Sequence, residues 1–407
     1  MYMLQHRLYK LFFAACITIA VAGMVGCKKE NKAAPGIERL RAITAAPNDS
    51  VLTIAGPGQT VVIQGSNLST TREVYFNGYP SPFNSALLSD NNIVVTIPAD
   101  MPFAKLDQAD LNKVKVVTAY GEVIFEFPIE PPPPVIMAAT NEYAKEGERI
   151  TLAGNNFFYV QKVVFPGDIE VATNIVTNDP GTLLEVTVPA GITQAGPLKV
   201  VNQYGIGTSL LRFNDFTTGV LCNFDNVNSL NNWAGATIKN STSEFPGANG
   251  NYAHLKFSNI PANDFVWYGG GRSLNIEQNL QWVPAANLSE PLENFAVKFE
   301  IYAKESWKAG SLFLLRNYDW TYVARVEPWT TVADFKTDGW KTLVIPLTTF
   351  KTKANNTDGT GNPASTMTTL VGANGMGGIN IYVINNSANP IPSFDIAVDN
   401  FRVIKIK

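Results

Sequence analysis

Cysteine and histidine are scarce in this chain of 407 residues. It contains three cysteines, Cys16, Cys27 and Cys222, and two histidines, His6 and His254. Cys16 and His6 lie in an N-terminal segment that we expect to be cleaved, and Cys27 is expected to carry lipid. Cys222 then has no partner, which excludes an intrachain disulfide. With His254 alone, most zinc sites are excluded, and Ser-His-Asp or Cys-His catalysis would depend on one residue.

Blocks of basic residues are also missing. The formal net charge is −3, and it becomes −5 when Arg7 and Lys10 leave with residues 1–26, which hold no acidic residue. This balance argues against nucleic acid as a partner. The composition is 45% hydrophobic and 16% charged, with many glycines, prolines and aromatic residues. A chain of this size and composition is globular and long enough for two or three separate cores.

The N-terminus has the pattern of a signal peptide. Arg7 and Lys10 precede the apolar run 11–25, which is too short and too early for a membrane-spanning helix. The sequence Met24-Val25-Gly26-Cys27 resembles the lipobox of bacterial lipoproteins, whose cysteine is diacylated and becomes the first residue. We therefore predict a signal peptide over 1–26 and lipidation at Cys27. The alternative is an ordinary signal peptide followed by an incidental cysteine.

The rest of the chain divides at visible changes of composition. A polar tether spans 27–36, four consecutive prolines occupy 131–134, and the composition of the sequence changes near 216–219. We predict a first domain over 37–130, a second over 135–217 and a C-terminal domain over 218–407. The proline run is expected to form a stiff polyproline II spacer.

The first two domains repeat one another in sequence. Residues 61–68 align with 150–157, and the Val-x-Phe strand at 74–76 aligns with 163–165. Each copy has short strands about every ten residues, bounded by Gly, Pro and Asn turns, which is typical of an antiparallel sandwich. Both copies resemble IPT/TIG domains, an immunoglobulin-like family, through the opening G-x-x-V-x-I-x-G-x-N and the ending V-x-N-x-Y-G. The resemblance implies modules that space or present other domains.

All tryptophans lie in the C-terminal domain. They are Trp233, Trp267, Trp282, Trp307, Trp320, Trp329 and Trp340. Exposed Trp and Tyr rings offer flat apolar surfaces that match the CH-rich face of a pyranose ring. Burial in the core is the alternative role for each of them, and we expect it for about half.

Local context separates these rings. Trp233 stands among asparagines, and Trp267 and Tyr268 precede three glycines, both turn-rich settings that favour exposure. Trp320 and Trp329 lie beside charged residues that could bind sugar hydroxyls, although a structural role for Trp329 is equally compatible with its sequence. These five residues are the predicted carbohydrate-binding residues.

The whole chain resembles the surface glycan-binding proteins of the B type from Bacteroidetes polysaccharide-utilisation loci. The resemblance rests on the lipobox, the two IPT/TIG-like repeats, the proline joint, and C-terminal motifs that include G-W-K-T-L-V-I-P-L and D-N-F-R-V. It implies an all-β chain of two tandem immunoglobulin-like sandwiches followed by a larger, carbohydrate-binding-module-like sandwich of the jelly-roll kind. It also implies a non-catalytic lipoprotein, exposed on the outer membrane, that captures a plant-type polysaccharide such as a β-glucan or xyloglucan beside a SusC/SusD-like importer.

The C-terminal ending also resembles jelly-roll modules that hold a structural calcium ion near the chain ends. Asp225 and Asp399 are the candidate ligands, because Ca²⁺ prefers oxygen donors. Ordinary turn residues at the ends of strands are the alternative. We expect no cofactor to be required.

Two other functional classes stay open. A glycoside hydrolase needs two carboxylates that face each other at roughly 5 to 9 Å. The acidic residues of the C-terminal domain are scattered and form no recognisable catalytic signature. A protein-binding adhesin would use the same aromatic residues as a contact patch.

Overall fold

The structure is a computed structural model that describes residues 33–231, 235–268, 271–332 and 334–407. Within these residues the chain forms two compact units. One unit extends to Glu130 without residues 102–105, and the other comprises residues 102–105 and 131–407. No helix in the described ranges is long and apolar enough to cross a membrane.

The first unit is a sandwich of two four-stranded antiparallel sheets. Its strands are β1 (Gly36–Ala42), β2 (Thr60–Ser66), β3 (Thr71–Phe76), β4 (Tyr79–Pro80), β5 (Phe83–Leu88), β6 (Asn92–Thr96), β7 (Lys113–Thr118) and β8 (Gly121–Glu126). The sheet orders are β1-β2-β6-β5 and β4-β3-β7-β8. Alternation along each strand places one set of side chains inside, as Val114 and Val116 show in β7.

The second unit begins with a sandwich of the same topology. Its strands are β9 (Val135–Ala139), β10 (Arg149–Asn155), β11 (Val160–Phe165), β12 (Ile169–Val171), β13 (Val176–Thr177), β14 (Leu183–Thr187), β15 (Gly196–Asn202) and β16 (Gly205–Phe213). The orders β13-β14-β10-β9 and β12-β11-β15-β16 repeat those of the first sandwich strand for strand. The sequence repeat is therefore a repeat of structure.

A glycine at the equivalent position of each copy explains why the repeat can be recognised in the sequence. At Gly65 in β2, a Cβ atom would lie 1.9 Å from the carbonyl oxygen of Gly36, and at Gly154 in β10 it would lie 1.9 Å from that of Val135. Both positions adjoin a register shift between the paired strands. Only glycine lets the neighbouring backbone approach so closely.

The proline run contacts the second sandwich. The carbonyl oxygen of Pro133 accepts a hydrogen bond from Asn156 Nδ2 at 3.3 Å. A Cβ atom at Gly207 in β16 would lie 1.9 Å from the carbonyl oxygen of Pro134. The end of the run is thus packed along a strand edge.

The C-terminal sandwich is larger and consists of two six-stranded sheets. Its strands are β17 (Val220–Cys222), β18 (Leu230–Asn231), β19 (Thr237–Lys239), β20 (Tyr252–Ile260), β21 (Ser273–Gln281), β22 (Phe295–Ala303), β23 (Ser311–Arg316), β24 (Asp319–Val326), β25 (Lys341–Pro346), β26 (Phe350–Lys351), β27 (Met376–Ile384) and β28 (Ile391–Lys405), with one short helix, α1 (Met367–Val371). One sheet runs β19-β20-β28-β22-β25, with β17 also on β28, and the other runs β18-β21-β27-β23-β24-β26. The predicted fold class, two immunoglobulin-like sandwiches followed by a larger sandwich, is confirmed.

Candidate functional site

A second apolar cluster lies on the outer face of the β18-β21-β27-β23-β24-β26 sheet. In β23, Leu312 and Leu314 belong to the inner core, while Phe313 and Leu315 lie on the opposite face. There they pack with Val323, Tyr382 and Ile384, against which Trp267 is partly buried. The outer face of an antiparallel sheet is ordinarily polar. These five residues are at most 1% exposed, so the surface that this face offers to a ligand is formed by the rings that cover them.

The strand register arranges this face in two adjoining rows. One row runs Ser273, Tyr382, Phe313, Arg325 and the next runs Asn275, Asn380, Leu315, Val323, each across β21, β27, β23 and β24. Neighbouring side chains in a row lie about one strand spacing apart, roughly 4.8 Å. The face therefore combines rings in its middle with amides at one end and a guanidinium at the other.

Two indole rings lie over one buried phenol. The Trp267 ring is 4.4 Å from Tyr382 at an interplanar angle of 32°, and the Trp320 ring is 5.8 Å from Tyr382 at 17°. Tyr268 meets Trp267 edge-on at 5.5 Å. Tyr382 is fully buried, whereas Trp320 is 36% and Tyr268 is 53% exposed. We call Trp267, Tyr268, Trp320 and Tyr382 the aromatic platform.

The strand containing Trp320 reaches the platform through an irregular pairing. Strict alternation from Val323 and Arg325 would direct Trp320 toward the inner core. The register between β23 and β24 shifts between Leu315 and Arg316, however. Such a shift redirects a side chain to the other face. The Trp320 ring accordingly contacts Tyr382 on the outer face.

A largely buried ion pair holds the loop that carries Trp267 and Tyr268. Asp264 accepts hydrogen bonds from Val266 N at 2.8 Å and from Arg272 Nη2 at 2.9 Å. Burial alone would raise the pKa of Asp264, but these donors outweigh it and hold the pKa below its usual value. The backbone of Asp264 also pairs with Asn385 after β27. The loop is thus fixed to the sheet on which the platform lies.

Polar groups border the rings at the guanidinium end of the face. The guanidinium of Arg325 lies 5.3 Å from the Phe313 ring, and its Nη2 donates to Glu327 Oε1 at 2.5 Å. Arginine and carboxylate groups of this kind can donate to and accept from sugar hydroxyls. The arrangement is suited to an uncharged ligand that is flat, apolar on its faces and hydroxylated at its edges.

The structure brings three of the predicted binding residues, Trp267, Tyr268 and Trp320, into one site. Trp329 is placed elsewhere, since it packs against the inner core and donates from Nε1 to the carbonyl oxygen of Gly310 at 2.9 Å. Trp233 and the predicted lipidation site Cys27 lie outside the described residues. Their roles stay predictions.

Sequence reasoning missed Tyr382 and Phe313. Both lie in strands that are buried along almost their whole length, because β23 and β27 are covered on both faces. Such a run hides which residues point outward. The available signal was that Asn380 and Tyr382 alternate along β27 with the apolar residues Ile379, Ile381 and Val383, which indicates a separate, partly polar face.

Asp225 and Asp399 are each engaged within the fold. Asp225 Oδ1 accepts from Asn251 N at 2.9 Å and Nδ2 at 2.8 Å, and Asp399 Oδ1 accepts from Asn400 N at 2.7 Å. Burial, followed by the charge of Glu300, raises the pKa of Asp399 well above its usual value. Among the described residues, no group of three or more His, Cys, Asp or Glu side chains could hold a metal ion. Ca²⁺ takes six to eight oxygen ligands, of which two carboxylates would supply only a part, and the calcium site stays a prediction.

Two family models match the chain. Residues 213–405 match the surface glycan-binding protein B xyloglucan binding domain, and residues 47–119 match the IPT/TIG domain. A curated relative, an IPT/TIG domain-containing protein of Bacteroides ovatus, is 26% identical over a region that covers 47% of this chain and 42% of the relative. The chain thus spans less than half of that relative's length.

Solved structures share the fold. Surface glycan-binding protein PbSGBP-B of Prevotella bryantii aligns with a TM-score of 0.71 and 19% identity, over 92% of this chain and 99% of that one. SGBP-B from a complex xyloglucan utilization locus in Bacteroides uniformis aligns with a TM-score of 0.50 and 17% identity, over 92% and 100%.

The C-terminal sandwich, with partly exposed rings on the outer face of one sheet, has the architecture that the sequence predicts for a carbohydrate-binding-module-like domain. The comparisons make this more specific. They confirm the resemblance, predicted from the sequence, to the surface glycan-binding proteins of the B type.

Proposed function

We propose that this protein is a non-catalytic lipoprotein of the outer membrane that captures a neutral plant-type glycan at the cell surface. A β-glucan or a xyloglucan-like chain is the favoured ligand, and a SusC/SusD-like uptake system is the favoured partner. The observation that carries the proposal is the aromatic platform on the outer face of the C-terminal sandwich.

The rings suit an extended glucan. Trp267 and Trp320 both lie over Tyr382, so they offer apolar surface along one direction of the sheet. A β-linked glucan presents the CH faces of successive sugars to such a surface, and the apolar area that they bury there contributes about 25 cal/mol per Å². A site on a sheet face binds along a chain, and it does not need a chain end.

Two carboxylates beside the platform are held in ion pairs. Asp264 pairs with Arg272 at 2.9 Å, and Glu327 pairs with Arg325 at 2.5 Å. An acid catalyst for glycoside cleavage must hold a proton near neutral pH, whereas the pKa of Asp264 is held below its usual value. These pairs support binding over hydrolysis.

The proposed location at the outer membrane and the proposed uptake system as partner rest on the sequence and on similar proteins. The lipobox predicts an anchor at Cys27, which would join the two immunoglobulin-like sandwiches to the membrane as a stalk. The name of the matched domain model and that of the Bacteroides uniformis protein both refer to xyloglucan, which supports it as the first ligand to test.

Affinity electrophoresis of the mature protein in gels with xyloglucan, mixed-linkage β-glucan or a pectin tests this function. We expect retardation by at least one of the neutral glucans, and no release of reducing ends on prolonged incubation. Unchanged mobility in every gel together with retention on a host protein would favour the adhesin. Newly formed reducing ends would instead make the protein a hydrolase.

A further inference from the structure

A polar groove adjoins the amide end of the outer face. It has a volume of about 300 Å³, and its polar lining consists of Glu277, Asn279, Asn317, Tyr318 and Asn380. Asn380 belongs to the same cross-strand row as Asn275, directly beside the row that contains Tyr382. The groove is therefore a continuation of the surface that carries the aromatic platform.

Tyr318 occupies a conformation that disfavours its side chain. Asn317 and Tyr318 form the two-residue turn between β23 and β24, with φ of 50° and 58°. Turns with positive φ at both central positions are dominated by Asn and Gly. A bulky residue in this region is strained, and such strain is concentrated at functional sites.

Hydrogen bonds from residues of the underlying sheet hold the turn in its strained conformation. Asn380 Oδ1 accepts from Tyr318 N at 2.6 Å, and Asn380 Nδ2 donates to Asn275 Oδ1 at 3.1 Å. Asn317 Oδ1 accepts from Gly378 N at 2.6 Å. Buried amides thus fix the backbone of Tyr318, and its ring stays 43% exposed. A glycine would satisfy the turn, so the ring itself requires an explanation.

The Tyr318 hydroxyl donates to Glu277 Oε1, and Asn231 Nδ2 donates to Glu277 Oε2 at 2.8 Å. Both partners are neutral, so the negative charge of Glu277 is not cancelled by them. That charge reaches the platform, since burial and then Glu277 raise the pKa of Tyr382. The groove therefore combines an exposed ring with a carboxylate that accepts hydrogen bonds from hydroxyls.

We infer that this groove is a second sugar subsite, in which Tyr318 contacts an uncharged sugar ring, Glu277 accepts from its hydroxyls, and glycans that bear carboxylates are rejected. The inference rests on the proposed function and adds a selection rule to it. Like charges at contact distance repel, and an interface discriminates by such repulsion as well as by attraction.

The selection rule is tested with one glycan in two charge states. Xyloglucan and xyloglucan whose primary hydroxyls have been oxidised to carboxylates are titrated against the wild type and Glu277→Gln. The wild type is expected to prefer the neutral form. Glu277→Gln keeps the shape of the side chain and removes its charge, so the ratio of the two affinities is expected to fall about fivefold. An unchanged ratio would overturn the selection rule.

Tyr318→Gly tests the ring separately from the fold. Glycine adopts the left-handed turn without strain, so we expect an unfolding temperature equal to or above that of the wild type, with affinity for neutral xyloglucan reduced severalfold. Asn356→Gly, at another position with φ of 58°, is the matched control and should leave affinity unchanged. Wild-type affinity in Tyr318→Gly would exclude Tyr318 from the subsite.

A Trp320→Ala variant separates failure of the subsite from failure of the proposed function. If Trp320→Ala loses affinity while Tyr318→Gly and Glu277→Gln behave as the wild type, the subsite alone is wrong. If Trp320→Ala also binds as the wild type, or the wild type binds neither glycan, the proposed function is wrong and the subsite falls with it.

Discussion

At the scale of single residues, Asp399 is a carboxylate in an unfavourable place. It is 2% exposed, and burial and the charge of Glu300 raise its pKa. A bound cation would relieve this cost, but Asp225 already accepts two hydrogen bonds from Asn251. The protonated form of Asp399 relieves the same cost without an ion.

We therefore expect calcium removal to leave the unfolding temperature unchanged. The measurement is thermal unfolding of the mature protein with excess chelator, and again after calcium is restored. Magnesium in place of calcium is the control for ionic strength. A drop of several degrees on chelation, reversed by calcium alone, would establish the predicted site at Asp225 and Asp399.

The tryptophans show how far residue-level prediction extends. Trp320, beside charged residues, is 36% exposed, whereas Trp267, beside glycines, is partly buried on the outer face of the sheet. Trp329 could not be assigned, because its environment depends on contact with Gly310, which is distant in sequence. Polar neighbours in the sequence predict that a ring is exposed only where the ring makes no contact with residues distant in the sequence.

At the scale of elements, buried charges join the second sandwich to the C-terminal one. Glu142, which follows β9, binds Lys298 of β22 at 2.5 Å and Arg402 of β28 at 2.7 Å. Arg402 also binds Glu300 at 2.8 Å and lies 4.8 Å from the Tyr143 ring. Burial opposes ionisation of Glu142, but Arg402 and Lys298 outweigh it and hold its pKa below the usual value.

Glu142→Gln is expected to destabilise the second unit strongly. It leaves Lys298 and Arg402 buried without full compensation, and loss of one partner from a buried pair costs about 3–5 kcal/mol. Chemical denaturation of the mature protein should show a large fall in the midpoint of the transition. Glu170→Gln, which breaks a solvent-exposed pair with Lys162, is the control, with an expected effect of about 0–1 kcal/mol. Equal effects of both variants would show that the junction carries no special stability.

Elements differ in how well the sequence predicts them. The repeat can be recognised because Gly65 and Gly154 each allow the close approach of a neighbouring carbonyl oxygen at the same place in the two copies. The junction between the second sandwich and the C-terminal one cannot be predicted from the sequence. Glu142 and Arg402 lie 260 positions apart, and nothing near either residue indicates its partner. The outer face of the C-terminal sheet is hidden for a related reason: its strands are apolar on both sides.

At the scale of the whole molecule, the second sandwich and the C-terminal sandwich form one compact unit. The stalk that we propose therefore includes a sandwich that is fixed to the binding domain by buried charges. A platform held in this way keeps its orientation relative to the second sandwich when a long polysaccharide is bound. The proposed binding of polysaccharide depends on the aromatic platform.

Calorimetric titration of xyloglucan oligosaccharides of increasing length into the wild type and Trp320→Ala tests this account most directly. Because several rings share the contact, wild-type affinity should rise with chain length over several sugars. Trp320→Ala should lower affinity about tenfold while the protein stays folded at the temperature of the titration. Tyr75→Ala in the first sandwich is the matched control and should bind as the wild type does. Wild-type affinity in Trp320→Ala would contradict a binding site on the aromatic platform.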